Sequence, residues 1–268
     1  MKKVVLITGA SSGIGRAIGE YLHRQGHTVY GTSRNPASYD DPPFQLVSLD
    51  VRDQTSIKEC ISRILTFNDR IDVLINNAGV GITGPIEEIA SEQIENNFST
   101  NLFGPIEVIK AVLPTMRNQK SGLIINITSI AGYMGLPYRS IYSASKGALE
   151  LITESLRMEL KPFGISACNV APGDFATNIA AGRYHSPVIP GSPYEKLYKE
   201  NLDTMDSHVN SGGDPMDMAI IIGKIINTKN PKIHYKVGST MQKFSIVLKR
   251  ILPDKMYEKI LMKHYKLH

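Results

Sequence analysis

Cysteine is scarce. The 268 residues contain only Cys60 and Cys168, with no CxxC pair and no metal-like spacing. That excludes a disulfide framework and reads as two buried free thiols in a reducing compartment, from which a cytoplasmic location follows. The seven histidines also lack a metal-binding spacing, so no metal site is expected. No apolar run approaches the roughly 20 residues that span a bilayer. The opening "MKKVVLITGASSG" turns Gly/Ser-rich too soon for a signal peptide and reads as a first strand running into a loop. No GKS or GKT is present, which argues against a nucleoside-triphosphate loop. Charge of one sign is missing from most of the chain. Of 30 Lys/Arg and 25 Asp/Glu, residues 239–268 hold seven and two, which leaves 23 of each elsewhere. The whole net charge of +5 therefore sits in the tail, and nothing indicates a nucleic-acid groove.

What is present alternates between two periods. Continuous apolar runs at 3–8 ("KVVLIT"), 71–76, 122–129 and 165–171 have the character of strands buried on both faces. Further strands are expected at 27–33, 44–50 and 233–238. Between them lie helical patterns. The stretch 13–26 places Ile14, Ala17, Ile18, Tyr21 and Leu22 on one face and stops at Gly26. Others fall at 56–67, 91–118, 142–162 and 214–228. Alternating strand and helix predicts an α/β fold: one Rossmann-type, doubly wound parallel sheet of about seven strands with helices on both faces. Residues 1–238 form this domain and 239–268 a helical extension. The stretch 174–213 is long for a plain connection and is expected to act as a lid.

"TGASSGIG" (8–15) follows the first strand and opens the first helix. Gly9, Gly13 and Gly15 permit a tight turn and close approach of the backbone to a pyrophosphate. Ser11, Ser12 and Ile14 lie between them, where the helix N-terminus offers free N–H groups to phosphate. An acid ending the second strand would hold the ribose of NAD. The chain has Ser33 and Arg34 there instead, and a guanidinium suits a 2′-phosphate. NADP(H) is therefore preferred over NAD(H).

"TGASSGIG", "NNAG" (76–79), "ITS" (127–129), "YSASK" (142–146) and "APG" (171–173) occur in an order and spacing that resemble the short-chain dehydrogenase/reductase family over about residues 3–238. The resemblance implies an oxidoreductase with NADP(H), in which Tyr142 passes a proton and Lys146 lowers its pKa and holds the nicotinamide ribose. It implies that Ser129 binds the substrate carbonyl oxygen, and that the backbone carbonyl of Asn101 anchors a water linked to the lysine. It also implies cofactor contacts from Asp50 and Val51 at the adenine, from Asn77, Ala78 and Gly79, and from Pro172, Gly173 and Thr177 near the nicotinamide. The physical reading agrees at several points. Tyr142 and Lys146 lie four apart, on one helix face. An ammonium favours a phenolate. Pro105 has no N–H to bond the Asn101 carbonyl. A homodimer or homotetramer built on the helices at 91–118 and 142–162 is also implied.

The substrate is expected to be a small carbonyl or alcohol compound, with an apolar pocket lined by Met134, Leu136, Tyr138, Phe175, Ile179 and Tyr184. The "T-x-R" after the second strand resembles the steroid- and retinol-handling branches. In the tail, Phe244, Val247, Leu248 and Ile251 form an apolar stripe, Pro253 breaks the helix, and a second amphipathic helix follows. The stripe is read first as packing on the domain or at a dimer interface, and second as a contact with an anionic membrane. Two other functions stay open: a peripheral membrane reductase of a lipid-like ketone, and a non-catalytic NADP(H)-binding regulator.

Overall fold

The computed structural model describes residues 1–175, 182–210 and 212–267. In chain order the elements are β1 (Val4–Ile7), α1 (Gly13–Arg24), β2 (Thr28–Ser33), β3 (Gln45–Ser48), α2 (Gln54–Asn68), β4 (Val73–Asn76), β5 (Ile82–Thr83), α3 (Ser91–Phe98) and α4 (Gly104–Gln119). There follow β6 (Gly122–Ile127), α5 (Ser140–Leu160), β7 (Ile165–Pro172), β8 (Tyr184–His185), α6 (Glu195–Asn210), α7 (Pro215–Ile226), β9 (His234–Val237), α8 (Thr240–Ile251) and α9 (Asp254–His264). Seven strands form one parallel sheet in the order β3-β2-β1-β4-β6-β7-β9, and β5 pairs with β8 apart from it. This is the doubly wound Rossmann-type sheet that the alternating periods predict.

Successive strand side chains point to opposite faces, and the core divides accordingly. Val5 and Ile7 of β1 join Ile18 and Leu22 of α1 and Met218 and Ile222 of α7 on one side. Val4 and Leu6 join Ile57 and Ile64 of α2 and Val108 and Val112 of α4 on the other. Each fully buried Leu or Ile contributes about 1.5–3 kcal/mol relative to exposure. The sheet is thus held rigidly from both faces, and its C-terminal edge becomes a fixed platform.

Two elements and two side chains differ from the expected ones. The helix expected at 91–118 is interrupted by a π-helical turn at Ser99–Phe103, closed by the Gly104 N–H donating to Ser99 O. Within 174–213 lies the 16-residue helix α6, masked in the sequence by its polar composition. Its inner face carries Tyr198 and Met205, with a buried Asn201 breaking the apolar stripe. Met134 and Phe175, expected at the substrate pocket, are core residues. Met134 packs against α8 and α9, and Phe175 belongs to the cluster under α1 and α7. Thr177 and Ile179 lie outside the described residues.

Candidate active site

The loop between β1 and α1 forms the floor of a cleft of about 350 Å³, within the roughly 300–1,000 Å³ of small-molecule sites. Gly9 and Gly13 have φ of +66° and +56°, a conformation that favours glycine. A Cβ on Gly9 would lie 2.9 Å from the Ala78 Cα, and one on Gly15 would lie 2.5 Å from the Asn77 Nδ2. Asn77 braces the loop by donating to Thr8 O (3.0 Å) and Gly9 O (2.8 Å). The Ser12 side chain makes no cap bond, so it leaves the first amides of α1 to a ligand, as a phosphate-binding helix start requires. These observations fit a dinucleotide.

Gly9, Ser11, Ser12, Gly13, Ile14, Ser33, Arg34, Asp50, Val51, Asn77, Ala78, Gly79, Tyr142, Lys146 and Pro172 all line this cleft. Gly15 lies beneath it. Gly173 is not a lining residue either: the Gln242 side chain of α8 fills the place of its Cβ. At the far end, Asp50 pairs with Arg52 at 2.7 Å, and Arg52 also donates to Asn96 Oδ1 at 2.9 Å. The Arg52 bonds hold the Asp50 carboxyl below its usual pKa, with a smaller contribution from the charge of Arg34. Arg34 itself is exposed at the end of β2. Sequence reasoning missed ten lining residues, among them Arg52, Asn96 and Thr100, which stand outside the recognisable motifs.

At the other end, Ser129 begins a short 3-10 turn at Ile130–Tyr133, and its Oγ accepts the Ala131 N–H at 3.2 Å. The same hydroxyl is the hydrogen-bond partner of the Tyr142 phenol. Burial raises the Tyr142 pKa, against opposing contributions from that hydrogen bond and from Arg139 and Arg183. The leading contributions to the phenol here come from burial, Ser129, Arg139, Arg183 and Asp174. Lys146 donates to the Ile127 carbonyl at 2.9 Å. Only 5% exposed, it is itself shifted by burial to about 8 from 10.5, with Glu150 opposing the shift. Asn101 is fully buried in the π-helical turn. Its side chain clamps Val80, accepting the N–H at 2.8 Å and donating to the carbonyl at 2.9 Å. The side chain is thereby occupied in holding Val80.

A polar row missed by sequence reasoning holds α5 against the sheet. Asn76, Asn126, Asn169 and His234 are register neighbours across β4, β6, β7 and β9. Asn76 donates to Asn126 (2.9 Å), and Asn126 donates to Thr153 of α5 (2.8 Å). Glu150 of α5 accepts from Asn169 and Tyr133, each at 2.9 Å, and from Thr128. His234 Nδ1 stands 2.9 Å from the same carboxylate. Buried polar groups of this kind demand partners, so the row fixes the height and rotation of the helix that carries Tyr142 and Lys146. The available signal was a single Asn in each otherwise apolar strand.

The profile of the family described as short chain dehydrogenase matches residues 3–187. The 3-ketodihydrosphingosine reductase of Bacteroides thetaiotaomicron is 40% identical over 257 residues, covering 96% of this chain and 95% of that protein. The crystal structure of a short-chain dehydrogenase from Streptomyces avermitilis superposes with a TM-score of 0.83 at 33% identity, covering 99% of this chain and 97% of that one. ElxO with NADP bound superposes with a TM-score of 0.71 at 29% identity, covering 88% and 97% respectively.

Proposed function

We propose, for a chain that belongs to the short chain dehydrogenase family, that it reduces a ketone on a long apolar body at the expense of NADPH. The chain is an oxidoreductase that moves hydride between a nicotinamide and the carbon of a CH–OH or C=O group. The choice of NADPH, of substrate and of direction is our addition.

The observation that carries this reading is the Tyr142 phenol, kept protonated by burial and paired with the Ser129 hydroxyl. A protonated phenol is equipped to give a proton, which is the need of a carbonyl being reduced. When bound, the nicotinamide supplies the hydride. Ser129 and Tyr142 direct their hydroxyls at the substrate oxygen. As charge gathers there, these fixed donors stabilise it, and Tyr142 passes its proton. Lys146 supplies positive charge beside the phenol and, near a pKa of about 8, exchanges protons close to neutral pH. Asn101 anchors the resupply of protons through its carbonyl, which Pro105 cannot bond.

Arg34 at the end of β2, with no acid in its place, supports the phosphate of NADPH. The 40% identity to a 3-ketodihydrosphingosine reductase supports a long-chain ketone. We assign residues 1–238 to the catalytic domain and 174–213 to its lid. The protein works in the cytoplasm, where Cys60 and Cys168 stay reduced. Copies pair as a homodimer or homotetramer through α4 and α5, and α5 carries the outward Leu151 and Met158.

The test is NADPH and NADH oxidation by the purified protein with 3-ketodihydrosphingosine and with short ketones, for wild type and Arg34→Ala. We expect NADPH to be favoured, and the variant to lose that preference by about tenfold or more, the order of one charge-assisted phosphate contact. Equal use of NADH by the wild type would refute the cofactor assignment. Turnover of short ketones alone would refute the substrate.

A further inference from the structure

Of the apolar stripe of α8, Leu248 packs inward against the cluster of Ile130, Met134 and Ala171, and the other three side chains face away from the protein. Phe244, Val247 and Ile251, at i, i+3 and i+7, share one helix face and are 50%, 43% and 68% exposed. The opposite face holds the helix down. Ile246 is buried against Ile130, Met134 and Ala171. Gln242 donates to Asp174 at 2.7 Å. Lys249 pairs with Asp254 at 3.1 Å and lies over the Tyr257 ring. A capping box between Ser239 and Gln242 fixes the helix start. The rotation of α8 is therefore pinned, and its greasiest side is presented to solvent. α9 repeats the arrangement: Tyr257 and Leu261 pack inward, while Met256 and Ile260 are 54% and 45% exposed. Exposed Lys243 and Arg250 flank the stripe on α8, and exposed Lys255, Lys259 and Lys263 stand among the outward side chains of α9.

We propose that this face of α8 and α9 docks on an anionic phospholipid surface, with the apolar side chains in the acyl boundary and the lysines at the headgroups. Charge complementarity selects this occupant. Residues 239–268 carry the entire net charge of +5. A second copy meeting the same face around a two-fold axis would set cations against cations. An anionic bilayer complements both the charge and the grease, and long lysine stems reach its headgroups while their methylenes stay apolar. The attachment is peripheral, since among the described residues no helix is long and apolar enough to cross a membrane. Docking bears on the active site through direct packing. α8 and α9 rest on Ile130 and Met134, in and after the turn that Ser129 opens, and on the segment at Gly173–Asp174.

The inference stands on this surface and does not rest on the substrate assignment above. It is tested by sedimenting the full chain with vesicles of phosphatidylcholine alone and of phosphatidylcholine with phosphatidylglycerol, at low and high salt. The variants are Phe244→Ser/Val247→Ser/Ile251→Ser and Lys255→Glu/Lys259→Glu, with NADPH binding as the control for folding. We expect sedimentation with the anionic vesicles, release by salt, and a loss of at least about tenfold in each variant. The proposal is overturned if the wild type stays in the supernatant, or if both variants sediment like the wild type. It is equally overturned if the serine variant turns a vesicle-free oligomer into a smaller species, because a second copy then covers the face.

Discussion

Replacing Lys146 by methionine should stabilise the protein at neutral pH while removing its turnover. The folded chain holds this side chain 5% exposed, and burial shifts its pKa to about 8 from 10.5. At about 1.4 kcal/mol per pH unit, keeping the ammonium inside costs about 3 kcal/mol near neutrality. Methionine removes that cost and leaves the Ile127 carbonyl without its donor, which takes back about 1–2 kcal/mol. The net gain is about 1–2 kcal/mol at about pH 7. Its pH dependence is the sharper test. Between about pH 8 and about pH 10.5 the unfolded wild type binds more protons at this residue than the folded one, so wild-type stability rises with pH and the advantage of methionine shrinks. By about pH 9.5 it should have fallen by about 2 kcal/mol. Urea unfolding of both proteins at the two pH values measures this, and taking the difference cancels every other titrating group that the two share. A difference that does not change with pH would show that Lys146 does not titrate low, and the account of its burial would fail.

The other expectations rest on separate contacts. Tyr142→Phe should lose about 10²–10⁴-fold in turnover, the range for a proton-transferring group, while NADPH binding by fluorescence titration stays intact; retained turnover would remove the phenol from the reaction. Gly15→Ala would press a methyl on Gly9 O and Asn77 Nδ2, so it should weaken NADPH binding at least tenfold and cost about 1–3 kcal/mol of stability by denaturant titration. Glu150→Gln removes the carboxylate that keeps Lys146 charged. The Lys146 pKa should then fall further, and the alkaline limb of the pH–turnover profile should move to lower pH. A purely structural Glu150 would lower stability and leave that limb in place.

The sequence made the sheet legible for physical reasons that can be named. Buried parallel strands must be apolar throughout, the helices between them must be apolar on one side, and the β1–α1 turn needs glycine at Gly9 and Gly13. Those demands leave marks in composition and spacing. They gave all seven strands of the main sheet, while the motifs gave fifteen of the twenty-five residues lining the cleft. The helix α6 left a weaker mark, because one of its inward positions is Asn201, whose amide donates to Leu197 O and Tyr265 O. A buried polar residue whose N–H groups bond backbone carbonyls looks, in one dimension, like an exposed one. The row Asn76, Asn126, Asn169 was hidden for the same reason: each is one polar residue in an apolar strand, and only the register shows that the three stand side by side.

The tail illustrates a different limit. Periodicity identified the stripe Phe244, Val247, Leu248 and Ile251, and the natural inference was that an apolar stripe covers the nearest apolar surface. A helix pattern fixes which side is apolar; it does not fix where a partner lies. Here the inner face is secured by Ile246 and the partly buried Leu248, together with polar and mixed contacts through Gln242, Ser245 and Lys249. Those contacts are enough to orient the helix, and they free its outer side from the demands of folding. Selection on that side can then answer to something outside the chain, and the seven Lys/Arg gathered in the same 30 residues give that outside partner a sign. The Lys146 and tail arguments share this logic: the protein keeps a buried cation and an exposed apolar stripe that stability alone would remove, and each lies where the chemistry or the partner requires it.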